Sequence, residues 1–495
     1  MTLGIDLGSS SVKMTVLDTA DGKVVAQVQL PEGREMHMAA PRPGWAEQDP
    51  ENWWELVQRG CRQLLQHDRV AAADIEAIGI SYQMHGLVLL DAQGAVLRPS
   101  IIWCDSRAVG VGEAAFAALG ADYCLGNLLN SPGNFTAAKL RWVQENEPAL
   151  YARIDRVLLP GDFIAQRLTG RAATTDSGLS EGVFFDFRQH APAHRLLEHW
   201  GIDSGLLAER VPTFGEQGRL SQSAAALTGL RAGTPVTYRA GDQPNNALSL
   251  NVLNAGEVAT TAGTSGVVYG VTDRIEYDPK SRVNSFAHVN HASGDPRIGV
   301  LLCVNGTGIL NSWVKDKFGA ADYPTMSAAA AATPVGAAGL QMLPFGNGAE
   351  RMLENRQPKA SVHGLDFNQH GRGHVFRAAQ EGIAFALAYG FDIMRGMGLD
   401  ATVVRAGRAN MFLSPLFREA FVNTTGTAVE LYDTDGAQGA ARGAAIGAGI
   451  FASATEAFTG LQCLRRLSPE PALREAYATA YADWQALLAR QLEQG

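Results

Sequence analysis

Gly4-Ile5-Asp6-Leu7-Gly8-Ser9-Ser10-Ser11-Val12-Lys13 opens the chain with an apolar run that ends in an acid, turns through glycine and three hydroxyls, and resumes as a strand. Val12, Met14 and Val16 alternate onto one face of that second strand, which predicts a β-hairpin with a tight turn. Such a turn exposes backbone N–H groups and small hydroxyls that can wrap a phosphate, and Asp6 beside it can hold a divalent cation through water. Ala259-Thr260-Thr261-Ala262-Gly263-Thr264-Ser265-Gly266-Val267-Val268 repeats the strand–turn–strand plan in the second half, without the acid. Either turn alone is an ordinary hairpin. One copy in each half points to a bilobal phosphotransferase.

Length and composition bound the rest. At 495 residues the chain is long for one domain. With 46% hydrophobic and 18% charged residues it can bury an ample core. A net charge of −9 argues against nucleic acid or an anionic membrane as the main partner. Cys61, Cys104, Cys124, Cys303 and Cys463 are scattered, with no CxxC, which argues against a zinc site or disulfide framework and fits a reducing cytoplasm. No secretory leader pattern opens the chain and no apolar run is of membrane length, so a cytoplasmic protein is expected.

Along the chain, Lys23 to Val28 reads as a third strand, and Asp49-Pro50 supplies an N-cap and first helical residue for Trp54, Val57, Cys61, Leu64 and Leu65 at helical spacing. Ile78 to Tyr82 is a strand running into Gln83-Met84-His85-Gly86. Lys139 to Val143 and Tyr151 to Ile154 are helical patches. Phe376 to Met394 reads as a buried helix, with Gly382, Gly390 and Gly396 spaced to allow close packing. Val403-Val404 is strand-like before a loop at Arg405 to Asn410. The Gly/Ala run Gly436 to Gly449 suits a helix pressed against a sheet or a hinge, and from Ala472 an amphipathic helix carries Tyr477, Tyr481, Trp484, Leu488 and Leu492 on one face.

Arg239-Ala240-Gly241-Asp242-Gln243-Pro244-Asn245-Asn246 precedes the second hairpin; taken alone, it is a loop built around Gly, Asp and Pro. The two hairpins, their spacing and this Gly-Asp-Gln segment resemble the FGGY carbohydrate kinases, of the actin/hexokinase-like ATPase superfamily, to about residue 455. Met84-His85-Gly86, Trp103-Cys104-Asp105-Ser106-Arg107, Gly126-Asn127 and Phe135-Thr136-Ala137-Ala138-Lys139-Leu140 are similar to the xylulokinase branch. Pro344-Phe345-Gly346-Asn347-Gly348-Ala349-Glu350-Arg351 and Val304-Asn305-Gly306-Thr307-Gly308 resemble further family segments.

That resemblance implies an α/β protein with the two-lobe, ribonuclease H-like fold and an interlobe cleft. Residues 1–250 form the sugar-binding lobe, 251–455 the nucleotide-binding lobe and 456–495 a helical tail. ATP and Mg²⁺ are the implied cofactors. Asp242 is the implied general base, since a carboxylate can take the proton of a sugar hydroxyl as it attacks the γ-phosphate. Asp6 is assigned to the metal and to catalysis. Sugar contacts are expected at Met84, His85, Trp103, Asp105, Asp242 and Asn246, although Trp103 is also expected to pack within the lobe. Nucleotide contacts are expected at Gly8, Ser9, Ser10, Lys13, Gly263, Thr264, Gly308, Gly407 and Asn410. Where relatives carry three glycines, Arg405 to Asn410 keeps only Gly407 and Asn410 at usable positions, which leaves the base preference open. D-xylulose is the first-choice acceptor, ribulose or glycerol a neighbouring choice, and a non-catalytic nucleotide switch the reading from another class. The partner is a small sugar, with no nucleic acid and no membrane; a homodimer is left open.

Overall fold

Two mixed sheets of the same plan make up the computed structural model, which describes residues 1–451 and 454–494. Gly495, the last residue of the expected tail, lies outside these. The first sheet contains β1 (Thr2–Leu7), β2 (Val12–Leu17), β3 (Val24–Leu30), β4 (Ala77–Tyr82), β5 (Phe214–Arg219) and β6 (Pro235–Gly241), in the order β5-β6-β4-β1-β2-β3. The β1–β2–β3 meander is antiparallel, whereas β4 and β6 continue parallel to β1. The second sheet contains β7 (Glu257–Ala262), β8 (Gly266–Thr272), β9 (Asn284–Ala287), β10 (Ile298–Val304), β11 (Val403–Gly407), β12 (Val429–Tyr432) and β13 (Cys463–Leu467), in the order β9-β10-β8-β7-β11-β12-β13. Its β7–β8–β10 part is antiparallel, and β11 and β12 run parallel to β7. The pseudo-repeat seen in two turns therefore extends to five strands of each sheet.

Crossover helices cover these sheets because parallel strands need long connections. α1 (Pro50–Leu64) starts as expected, with the Asp49 side chain capping Glu51 N and Pro50 in the first turn. It buries Trp53, Trp54, Val57 and Cys61. α2 (Thr136–Asn146) and the short α3 (Asp176–Glu181) precede α4 (Asp242–Ser249), which follows directly from β6. Of the Tyr151 to Ile154 patch, only Tyr151 is helical. In the second half, α5 (Thr307–Lys317) follows β10, and α6 (Arg372–Gly396) is the expected buried helix. Of the three glycines read from the sequence, Gly382 permits a close approach, since a Cβ there would overlap Met342 O, whereas Gly390 makes ordinary contact and Gly396 faces open space; Gly373 in the first turn makes a second close approach, to Ala329 O.

The Gly/Ala helix α7 (Gly436–Gly447) follows β12 of the second sheet yet packs on β1, β4 and β6 of the first. Its small residues are the reason. A Cβ on Gly4 would overlap Ala437 O, one on Gly79 would overlap Ala440 O, and one on Gly447 would overlap Thr237 O. Backbone thus lies directly on backbone across the helix–sheet interface. Thr2 and Thr237 use the proximity to donate to Ala441 O and Ala444 O at 2.9 and 2.7 Å. α8 (Arg474–Gln494) buries Tyr477, Trp484 and Leu488 against the second-sheet core, with Trp484 Nε1 donating to Met342 O at 3.0 Å. Periodicity showed this helix but not β13, a short, largely exposed edge strand whose place is set by pairing with β12.

Candidate active site

β1, β4 and β6 end together: Leu7 pairs with Tyr82, and Tyr82 with Gly241. Parallel strands bring their C-terminal ends to one edge, the usual place for a site in an open α/β sheet. Asp6 and Asp242 come to that edge from residues far apart in sequence. Ser81 Oγ donates to Asp6 Oδ1 at 2.8 Å, and Gly436 at the start of α7 abuts the other oxygen. Burial raises the Asp6 carboxyl above its usual range against the opposing pull of Ser81 and Lys13, and Asp435 adds to the rise. Burial likewise raises Asp242 to about 7, with the charge of Asp6 reinforcing it. A buried acid whose proton affinity is raised by the charge of a second buried acid, neither in a salt bridge among the described residues, fits a bound divalent metal. Among the described residues no group of three or more His, Cys, Asp or Glu side chains is set as a metal cage.

The first turn is tied down by its carbonyls. Gly8 N donates to Ser11 O at 3.0 Å, Gln48 Nε2 to Ser9 O at 2.7 Å and Met36 N to Ser10 O at 2.8 Å. Lys13 stands opposite Asp6 in the hairpin register. In the second half, Gly263 O accepts from Gly308 N at 2.9 Å and from Thr307 Oγ1 at 3.1 Å, and Asn410 Nδ2 lies against Gly263. Gly263, Thr264, Gly308 and Asn410 are therefore brought together. Gly407 ends β11 opposite Tyr432 of β12. From Tyr432 the chain reaches Gly436, beside Asp6, within a span of at most about 14 Å.

One expectation is corrected here. Arg405, Ala406 and Gly407 are strand, not loop. The Arg405 guanidinium joins neighbouring strands by pairing with Glu257 of β7 at 3.1 Å and Glu430 of β12 at 3.2 Å. The departure from a glycine-rich segment at this position thus serves the sheet, and the turn begins only at Arg408.

On the first-sheet side, Met84 is buried and His85 adopts a left-handed backbone at φ 60°. Its Nδ1–H donates to Glu181 O at 2.8 Å, and its ring packs edge-on against Phe135, centroids 4.8 Å apart. Burial and the nearby Lys139 charge lower the His85 pKa to about 3, so the ring is neutral, with Nε2 an acceptor. Lys139 Nζ donates to His85 O at 2.8 Å and Ile102 O at 3.0 Å; its burial brings the ammonium down to about 7. Arg351 reaches in from the second half, its guanidinium 5.2 Å from the Phe135 ring centroid and donating to Ser131 O at 3.3 Å. Asn246 stands one turn after Asp242 on α4.

Trp103 does not pack within the lobe: it is 45% exposed. Asp105 is fully buried, with its oxygens engaged by Ala46 N at 2.6 Å and by Arg107 Nη2 at 2.7 Å, so its carboxylate organises a loop. Ser81 and Glu181 were absent from the sequence-derived site. A lone acid immediately before Gly182-Val183-Phe184-Phe185 was the available signal for Glu181, because a charge leading into such a run is seldom left there without a role.

Residues 1–249 match the FGGY family of carbohydrate kinases, N-terminal domain, and residues 258–452 match its C-terminal domain. The chain belongs to the FGGY family of carbohydrate kinases. It is a sugar kinase with the two-domain actin/hexokinase-like fold. This FGGY protein is 31% identical to the xylulose kinase of Escherichia coli (strain K12) over 90% of its own length and 89% of that protein. It is also 31% identical to the xylulose kinase of Bacillus subtilis (strain 168), over 92% and 89%. The crystal structure of xylulose kinase from Rhodospirillum rubrum superposes with a TM-score of 0.89 at 28% identity, covering 99% of this chain and 98% of that one. No helix among the described residues is long and apolar enough to cross a membrane.

Proposed function

We propose that this kinase transfers the γ-phosphate of ATP to a hydroxyl of a small ketose, with D-xylulose the leading acceptor and Asp242 the general base. The supporting observation is the position of Asp242. It begins α4 at the shared edge of three parallel strands, beside Asp6, with a proton affinity matched to neutral pH. Residues 1–250 hold the sugar against Met84 and His85, and 251–455 hold the nucleotide at Gly263, Thr264, Gly308, Gly407 and Asn410. Bound ATP with Mg²⁺ supplies the phosphoryl group and spreads its charge. Asp6 and the Gly8–Ser10 turn position the phosphates, His85 offers Nε2 to a sugar hydroxyl, and Asp242 accepts the proton of the attacking hydroxyl. No enzyme nucleophile is needed. The xylulose kinase relatives and the Met84-His85 pair together support xylulose over ribulose or glycerol. A coupled ADP-release assay over these three acceptors tests the reading: xylulose should give the highest kcat/KM, and a higher value for either other acceptor reassigns the substrate.

A further inference from the structure

Glu181 ends α3, a helix pinned to β9 of the second sheet by Ser177 Oγ donating to Ala287 O and Ala287 N donating to Ser180 Oγ, both at 2.9 Å. Its side chain is 2% exposed and points at the strand end that carries Asp242. A Cβ built on Gly241 would lie 2.7 Å from Glu181 Oε2 and 2.6 Å from Met84 Cγ, so only glycine fits between this carboxyl and the chain leading into Asp242. Neither Glu181 oxygen makes a hydrogen bond of good geometry, and neither does the nearby Tyr82 hydroxyl. The main chain of the same residue orients His85. One residue thus touches both the support of the base and the wall of the sugar site.

We propose that Glu181 is a positioning residue for Asp242, its carboxyl wedged behind Gly241 so that it fixes where the base meets the acceptor hydroxyl. This rests on Asp242 being the general base. The groups around Glu181 explain why it is neutral. Asp162, and Asp242 of α4, set negative charge beside it, and Tyr269 of β8 also faces it, while the Tyr82 hydroxyl of β4 pulls toward the anion. The two cations are engaged elsewhere: Lys139 of α2 with the carbonyls of His85 and Ile102, and Arg239 of β6 with Asp162 at 2.9 Å. Burial, helped by the Asp242 and Asp162 charges, pushes the Glu181 carboxyl well above its usual range. Ionisation at high pH would set a second negative charge directly behind the base and move it.

Three variants and one spectrum test this. Glu181→Gln, permanently neutral and of the same shape, should keep kcat near pH 7 within about threefold while losing an alkaline fall-off in kcat/KM that the wild type shows. Glu181→Met, of similar volume without hydrogen-bonding atoms, should lower kcat about tenfold or more with the KM for ATP unchanged. Wild-type activity in the Met variant would reduce Glu181 to a space filler, and an identical alkaline limb in the Gln variant would overturn the protonation argument. Glu181→Asp retracts the carboxyl by one methylene and should lower kcat with the alkaline limb retained; unchanged kcat would count against positioning. Should the Gln variant fail to fold, infrared titration of the wild type should show a protonated carboxylic carbonyl that persists after Asp242 has ionised; its absence would overturn the proposal. The infrared readout needs no turnover, so it separates failure of this inference from failure of the Asp242 assignment, which Asp242→Asn tests by itself.

Discussion

Gly436, the first residue of α7, lies so close to Asp6 in β1 that a Cβ on it would overlap the Asp6 carboxylate. The contact joins the first hairpin to a helix that begins more than four hundred residues later, and it makes the acid at the phosphate turn depend on packing from the far end of the chain. Adding a methyl group there should be costly. Gly436→Ala should raise the Mg²⁺ requirement of turnover severalfold and lower stability by about 1–3 kcal/mol, the usual range for overpacking. Mg²⁺ titrations of rate, paired with urea unfolding, check both effects.

Removal of the base should separate binding from chemistry. Asp242→Asn is expected to lower kcat by about 10²–10⁴-fold while sugar and nucleotide still bind. Calorimetric titration alongside the coupled assay is the measurement; near wild-type turnover would exclude Asp242 from the role.

The pH dependence follows from the same carboxyl. With Asp242 raised to about 7, kcat/KM should fall as pH drops through neutrality, because the protonated base cannot accept the hydroxyl proton. Asp6→Asn removes the neighbouring charge and should move this acid limb to lower pH. Asp6→Asn should also weaken the response to Mg²⁺ more than the affinity for sugar, and an unchanged Mg²⁺ dependence would remove Asp6 from the metal role.

Stability carries the opposite sign. Asp242 binds its proton more tightly folded than unfolded, so its contribution is full below the ordinary aspartate range and is lost as pH rises toward 7. Asp242→Asn should therefore melt higher than the wild type at pH 8, by an amount of order 1–3 kcal/mol, with the difference shrinking by pH 4. Thermal melts of the metal-free proteins at both pH values decide it.

Packing on α7 can be probed away from the site. Gly79→Ala should destabilise strongly, since its Cβ would overlap Ala440 O. Gly396→Ala faces open space at the end of α6 and should be neutral or stabilising by up to about 1 kcal/mol. Similar melting temperatures for the two variants would contradict the close helix–sheet contact.

The sequence by itself determined the two hairpins, the Asp49-Pro50 start of α1, the buried helix α6 and the apolar face of α8. Each of these is written in local periodicity, capping or turn chemistry, which need only neighbours in the chain. Turn residues and family motifs at fixed spacings also singled out Asp6, Met84, His85 and the Gly241-Asp242 segment as candidates, and the fold brings Asp6 and Asp242 to one sheet edge. Only the tertiary structure decided that α7 crosses to the first sheet, that Arg405 pairs β7 with β12, that Trp103 stays partly exposed, and that Glu181 stands behind Asp242. These depend on backbone approach and burial between segments far apart in sequence. A carboxyl's proton affinity, or an arginine's choice of partner, is fixed by what desolvates and faces it, and no local pattern encodes that.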